Sequence, residues 1–292
     1  MSDTGFAQTI QLTDDAILAV TGPDSERFLQ GQLTCNVVKL ADQHWQTGAC
    51  CTAKGRMVAN FIIARRGSDF YLRLPATQAD ALQQHLSRYA VFYKTEMTID
   101  ERFSIYGQIP AQPVVQTLAG QHPLETADDA MILSWPDGRR ELWSQTSLPA
   151  EQHSAPWDAL DIDEGIVWVT TDSQESWVPQ FVDMTAQGAV SFSKGCYTGQ
   201  EVVARLQYLS KNKKHLIKAV CSDPLSPAIG AKVTDDGGKN IGEVAAWSER
   251  QGLIIVQGEV PTDAQIGENR IRLAQLFYTE EMSAEESAQS TD

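Results

Sequence analysis

Two apolar runs, residues 61–66 and 70–74, flank the turn Gly67-Ser-Asp69, and a chain with that grammar closes into a β-hairpin. A helix is expected after it, because Thr77 stands three positions ahead of Asp80 as a cap and Ala79, Leu82, Leu86, Tyr89 and Ala90 keep helical spacing. Ahead of the hairpin, residues 16–20 read as a short buried strand. Gly22-Pro-Asp-Ser25 then supplies a turn and an N-cap for a helix through Phe28 and Leu29. A second α/β unit repeats the pattern: a strand at 103–109, a helix at 113–118, and a hairpin of 131–135 with 141–143 around Pro136-Asp-Gly138. Ser154 caps a further helix, with Pro156 in its first turn and an end near Gly165. From His215 the period changes to short β runs at 216–221, 231–234, 241–247, 253–260 and 270–276, which suit a small barrel or sandwich.

At 292 residues the chain exceeds what one core requires. The expected units are 1–100, 101–212 and 213–278, followed by a disordered acidic tail at 279–292 that carries five acids and no base. No basic segment leads into an apolar run, and no uncharged apolar stretch of about 18 residues occurs, so neither export nor membrane insertion is expected. Five cysteines without a Cys-x-x-Cys pair argue against a disulfide framework and a zinc site, which fits a reducing cytoplasm. A net charge of −15 disfavours bulk attraction to nucleic acid. Between Lys194 and Lys218, however, six bases face the single acid Glu201.

The run Lys194-Gly-Cys-Tyr-Thr-Gly-Gln-Glu201 concentrates the chemistry. Residues 190–192 read as the end of a strand, and Thr198 with Glu201 forms a capping box that starts a helix. Val202, Val203 and Leu206 give that helix an apolar face, and Arg205 pairs with Glu201 four residues back, worth only a few tenths of a kcal/mol. Cys196 then sits just before a helix N-terminus and close to Lys194, and both influences favour its thiolate. Gly195 and Gly199 remove side-chain bulk beside it. The competing reading is that Cys196, like Cys35 and Cys221, is a small packing residue.

The same run, continued by Val202-Val-Ala-Arg205, resembles the signature of the YgfZ-type folate-binding proteins, relatives of the glycine-cleavage T-protein (aminomethyltransferase). Thr21-Gly-Pro-Asp-Ser, Leu29-Gln-Gly-Gln-Leu-Thr34, Ala53-Lys-Gly-Arg-Met57, Tyr89-Ala-Val-Phe-Tyr-Lys94 and Val178-Pro-Gln180 agree with it in order, so the resemblance spans about residues 10–278. It implies an α+β fold, a T-protein-like ring of two interleaved ferredoxin-like α/β units plus a C-terminal β-barrel. The central opening of that ring would hold tetrahydrofolate or another folate, polyglutamylated forms included.

By resemblance, Trp157 is a stacking wall for the pterin and Asp163 its hydrogen-bond partner, while Lys194, Gly195, Tyr197, Gly199, Gln200, Glu201 and Arg205 belong to the cofactor loop around the reactive Cys196. Trp157 reads equally as a helix core aromatic. Asp15 replaces a folate-contacting Trp, Asp183 a usual Asn, and Tyr208-Leu-Ser210 an aromatic-Arg-Gly step whose charge Lys211, Lys213 and Lys214 would supply.

The implied role is folate binding in support of iron–sulfur enzymes and of tRNA thiomethylation, through a tRNA-modifying partner enzyme and without a defined reaction of its own. The alternative is a one-carbon transferase in which Cys196 is the nucleophile. Direct RNA binding through residues 211–218 stands against a plain solvated loop, and the acidic balance favours the loop.

Overall fold

The computed structural model describes residues 5–127, 129–209 and 214–278. Ten strands form one sheet in the order β1-β7-β10-β9-β8-β3-β4-β5-β2-β6, and a closed six-stranded barrel follows in the order β11-β14-β13-β12-β15-β16. The expected hairpin is β4 (Met57–Arg66) with β5 (Asp69–Pro75), flanked by β2 (Asp15–Thr21) and β3 (His44–Cys51). Its side chains alternate between faces, as a period of two requires. Phe61, Ile63, Phe70 and Leu72 pack towards helices α1 (Ser25–Gln30) and α2 (Ala76–Ser87), with Leu18, Val20, Phe28, Leu82 and Leu86. Ile17, Ile62, Ala64 and Tyr71 face a second core shared with the other half of the sheet.

That other half comprises β7 (Ser104–Pro110), β8 (His122–Thr126), β9 (Ala130–Ser134) and β10 (Arg140–Ser144), with α3 (Ala155–Asp163) on its inner face. Strand β1 (Phe6–Gln11) pairs with β7, so residues 6–11 stand with the second unit rather than in a first unit of 1–100. The short pairing of β3 with β8 joins the halves, and β6 (Glu96–Ile99) forms the far edge beside β2. Residues 113–119 adopt neither helix nor strand, which corrects the helix expected there. Pro113 restricts the start of the segment, and Val114 and Val115 are exposed instead of covering a core.

The barrel strands are β11 (Lys214–Val220), β12 (Lys232–Thr234), β13 (Asn240–Ser248), β14 (Gln251–Gln257), β15 (Asp263–Ile266) and β16 (Asn269–Ala274), around Ile217, Val233, Val244, Ile254, Val256 and Ile271. A further core links the barrel to the middle of the chain through Ile162, Val167, Trp177, Val182, Val203, Leu216 and Ile255. Helix α3 is tied to the barrel by Ser248 Oγ to Ala155 O (3.3 Å) and Gln251 Nε2 to Ala159 O (2.8 Å). No helix among the described residues is long and apolar enough to cross a membrane. The acidic tail at 279–292 lies outside the described residues, as do Ser210, Lys211 and Lys213.

Candidate functional site

The loop 189–199 is irregular, so the strand expected at 190–192 is absent. Its hydrogen bonds go across the molecule, to residues 31–35. Ser191 N donates to Thr34 O (2.9 Å) and Thr34 Oγ1 to Ala189 O (2.7 Å). Thr198 N donates to Gly31 O (3.2 Å), and the Thr198 hydroxyl meets Gln32 Oε1 at 3.1 Å. The capping box is therefore not made. Helix α4 runs Gln200–Tyr208 with Gly199 as its N-cap in the left-handed region (φ +87°), and no side chain caps it. Gly199 is needed there for space as well, since a Cβ would lie 2.5 Å from Thr52 O and 3.1 Å from Cys51 Cβ.

Lys194 turns into the core, away from the exposed Cys196. Its Nζ is buried and donates to Leu33 O (2.7 Å) and Cys35 O (2.8 Å), and burial pulls its pKa down from 10.5 to about 8. Tyr197 is buried beside it, 5.2 Å from Nζ to ring centroid, and its hydroxyl has no partner among the described residues. Burial pushes that hydroxyl's pKa well up. Cys196 is exposed, and nothing lies within 4 Å of a Cβ built on Gly195. Gln200 stands partly exposed at the start of α4, and Glu201 accepts from Arg205 at 2.7 Å on its solvent side.

Among the described residues, the four bases of the basic stretch each have a partner of their own rather than forming one cluster. Lys194 serves two carbonyls, Arg205 pairs with Glu201, Lys214 lies 3.8 Å from Glu243, and Lys218 is ion-paired with Asp163. The last pair turns Asp163 towards the barrel. Trp157 is 1% exposed: Arg139 stacks on it at 4.5 Å, Trp135 meets it edge-on at 5.5 Å, and Gly107 packs against its ring. It is a core aromatic, with no free face for a ligand.

Among several openings, one lies where β2, β5, α3 and the barrel strand β13 converge. Two cavities of about 230 and 220 Å3 share Asp158, Asp161, Trp168 and Thr170. One extends to Ile229, Ala246 and Trp247 of the barrel, and the other to Asp14, Asp15, Arg73 and Ser154. No residue of 194–205 lines either lobe.

The walls are built from inside. Arg139, fully buried between Trp135 and Trp157, donates to Asp161 Oδ1 at 2.6 Å, and Asp161 Oδ2 accepts from Trp168 Nε1 at 2.8 Å. Arg73 stacks over the Trp168 ring at 4.7 Å and donates to Asp15 Oδ2 at 2.7 Å. Its Nε faces Glu141 at 3.4 Å, while its Nη1 has no hydrogen-bond partner among the described residues. Asp158 accepts from Ser154 Oγ at 2.8 Å. Desolvation, partly offset by Arg73, raises the pKa of Asp15 to about 7. Desolvation also raises Asp158 to about 6, against the Ser154 hydrogen bond.

Sequence reasoning placed Asp15 at this site only as a missing aromatic wall and passed over Arg73, Asp158, Asp161, Trp168 and Trp247. Two signals were present: carboxylates at i and i+3 share one face of the expected helix 155–165, and a lone arginine interrupts the apolar run 70–74.

Asp183 departs from Asn without losing its post. It sits at φ +50°, a conformation that Asn and Asp tolerate, and accepts from Leu216 N and the Tyr278 hydroxyl, both at 3.1 Å.

No protein-family model matches the chain. The tRNA-modifying protein YgfZ of Pectobacterium carotovorum subsp. carotovorum is 31% identical over 288 residues, covering 90% of this chain and 86% of that protein. Its counterpart from Colwellia psychrerythraea is 27% identical over 287 residues, covering 88% and 86%. Among solved structures, the glycine cleavage system aminomethyltransferase T of Bartonella henselae shares the fold with a TM-score of 0.66 at 14% identity, covering 92% of this chain and 84% of that one. The interleaved α/β units and closed barrel are thus a T-protein-like fold, and with identity above 30% across nearly the whole of a relative, the chain belongs to the YgfZ family of tRNA-modifying proteins.

Proposed function

We propose that this protein binds tetrahydrofolate or a related folate, polyglutamylated forms included, in the cleft between the two sheet halves and the barrel. In this reading it supports iron–sulfur enzymes of tRNA modification, thiomethylation among them, in the cytoplasm, and acts as an accessory protein rather than by a turnover of its own. The carrying observation is the composition of the cleft, in which two tryptophans, Trp168 and Trp247, stand with carboxylates and one arginine where β2, β5, α3, residues 166–170 and β13 meet. Binding sites for small ligands combine apolar walls with a few convergent polar groups in this way.

The residues suit a pterin. Its amino and ring N–H groups are donors for Asp158 and Asp161, its carbonyl is an acceptor for the orphaned Arg73 Nη1, and its flat face matches Trp168 or Trp247. This moves the stacking role from Trp157 to Trp168 and Trp247, and the pterin carboxylate from Asp163 to Asp158 and Asp161. When bound, the folate supplies a one-carbon carrier. The chain's own residues orient it and exclude water from its ring. Cys196, exposed on a loop tied down by residues 31–35, then addresses a docked partner enzyme.

Titration of the full chain with tetrahydrofolate while following Trp fluorescence tests the reading. A saturable change is expected that Trp168→Phe diminishes and Trp157→Phe, at equal folding, leaves in place. Absence of any saturable change in the wild type counts against it. The exposure of Cys196 also keeps a one-carbon transferase in play, which turnover abolished by Cys196→Ser with folate binding intact would establish.

A further inference from the structure

The charge of the cleft goes beyond what a neutral ring system needs. Four carboxylates, Asp14, Asp15, Asp158 and Asp161, line the lobe that holds a single cation, Arg73. That cation is already spent: Asp15 is 2.7 Å away on one side and Glu141 3.4 Å on another. Arg139 neutralises Asp161 from behind but is itself shared with Asp137. Among the described residues Asp158 has a hydroxyl partner, Ser154, and no ion pair, and Asp14 is exposed at the rim. Trp168 already carries Arg73 over one face at 4.7 Å, and Trp247 adds to the adjoining lobe an aromatic ring whose face favours positive charge.

The second, independent sign of a ligand is Arg73, 2% exposed, lining the same lobe with a guanidinium N–H that donates to nothing among the described residues. A group there that accepts one hydrogen bond while carrying positive charge elsewhere satisfies both the orphaned donor and the uncompensated acids.

We propose that the cleft selects a reduced folate whose ring system is cationic, with the charge delocalised as an amidinium between its two bridging nitrogens, over neutral folates of the same size. This rests on the folate reading above and names the charge state of its ligand. The physical cause is direct: a cation placed within a few ångströms of carboxylates in a partly desolvated site gains far more than it would in water. Burial raises Asp15 to a pKa of about 7 and Asp158 to about 6, so near neutrality Asp158 is mainly ionised and Asp15 keeps part of its proton, which an entering cation displaces; the facing groups Asp14, Arg73, Glu141 and Asp161 set how readily.

A matched pair of probes decides it. 5,10-Methenyltetrahydrofolate and 5-formyltetrahydrofolate carry the same carbon at the same oxidation level and the same glutamate tail, and differ by a water and a positive charge. Stopped-flow Trp fluorescence at pH 6.5, within the lifetime of the cation, gives both affinities on the full chain. The expected result is a preference of about tenfold for the methenyl cation, reduced to about twofold or less in Asp158→Asn and partly reduced in the exposed variant Asp14→Asn. Affinity for the 5-formyl form should hardly change in Asp14→Asn; in Asp158→Asn both forms lose the same pterin contact, so the ratio of the two affinities is the readout. Equal binding of the two probes by the wild type overturns the charge selectivity and leaves folate binding standing. Failure of both probes to bind overturns the folate reading and this inference with it.

Discussion

Replacing Lys194 with Met removes an ammonium whose Nζ bonds Leu33 O at 2.7 Å and Cys35 O at 2.8 Å. Two buried carbonyls are left without that donor, at about 1–3 kcal/mol each. Against this, the variant no longer buries a charge. A pKa near 8 in place of 10.5 means that burial costs the ionised form about 3 kcal/mol. The two effects nearly offset at pH 7, where the net loss should be about 0–3 kcal/mol. The pH dependence separates them. Because the folded pKa lies below the unfolded one, the unfolded chain binds more protons between about pH 8 and 10.5, and the wild type gains stability as pH rises through that window. Met cannot titrate, so the stability gap between wild type and Lys194→Met should widen by about 1–3 kcal/mol from pH 7 to pH 10. Urea denaturation of both proteins at the two pH values measures it; the tyrosines and the other cysteines cancel in the difference, and burial keeps the Cys35 thiol, which Lys194 pulls down, above pH 10 in both. A gap that stays constant or narrows would refute the assignment of Lys194 as a buried, charged tether.

Two further outcomes follow from the same geometry. Burial raises Asp183 to a pKa of about 6 from 3.8, so the native state binds more protons in that interval and stability falls as pH rises through it. Asp183→Asn keeps an acceptor for Leu216 N–H and the Tyr278 hydroxyl and should add about 1–3 kcal/mol at pH 7.5 with little effect at pH 4, and lower stability at pH 7.5 in urea melts would contradict this. Gly199→Ala places a methyl 2.5 Å from Thr52 O at φ +87°, so a loss of about 2–4 kcal/mol in urea is expected, and a loss below about 0.5 kcal/mol would mean that the loop is not packed as described.

The local elements were legible because their signals are local. The hairpin of β4 and β5, helices α1 to α3 and five of the six barrel strands follow from alternation, helical spacing and turns, each within a window of about ten residues. The expected caps do not form: α2 starts at Ala76 after Pro75, with Thr77 inside it, and no side chain caps α1, α2 or α3. Strand β1 was not, since its membership in the second half depends on pairing Thr9 with Gln108, which no window contains. The capping box failed for a related reason: the Thr198 hydroxyl finds Gln32, 166 residues away, before it finds Glu201. The signature loop was legible as a unit, yet the partner of Lys194 was not, because a lysine near a cysteine in sequence can point into the core in space. The cleft was the least legible feature. It is assembled from β2, β5, α3, residues 166–170 and β13, and only the shared fold brings those five stretches to one opening.

The claim that the cleft is a folate site is met most directly by isothermal titration of the full chain with tetrahydrofolate, in parallel with Trp168→Ala checked for native circular dichroism. One saturable site per chain, lost or weakened at least tenfold in the variant, is the predicted result. Equal heats in both proteins, or binding that Trp168→Ala leaves unchanged while Trp157→Phe abolishes it at equal folding, would contradict it.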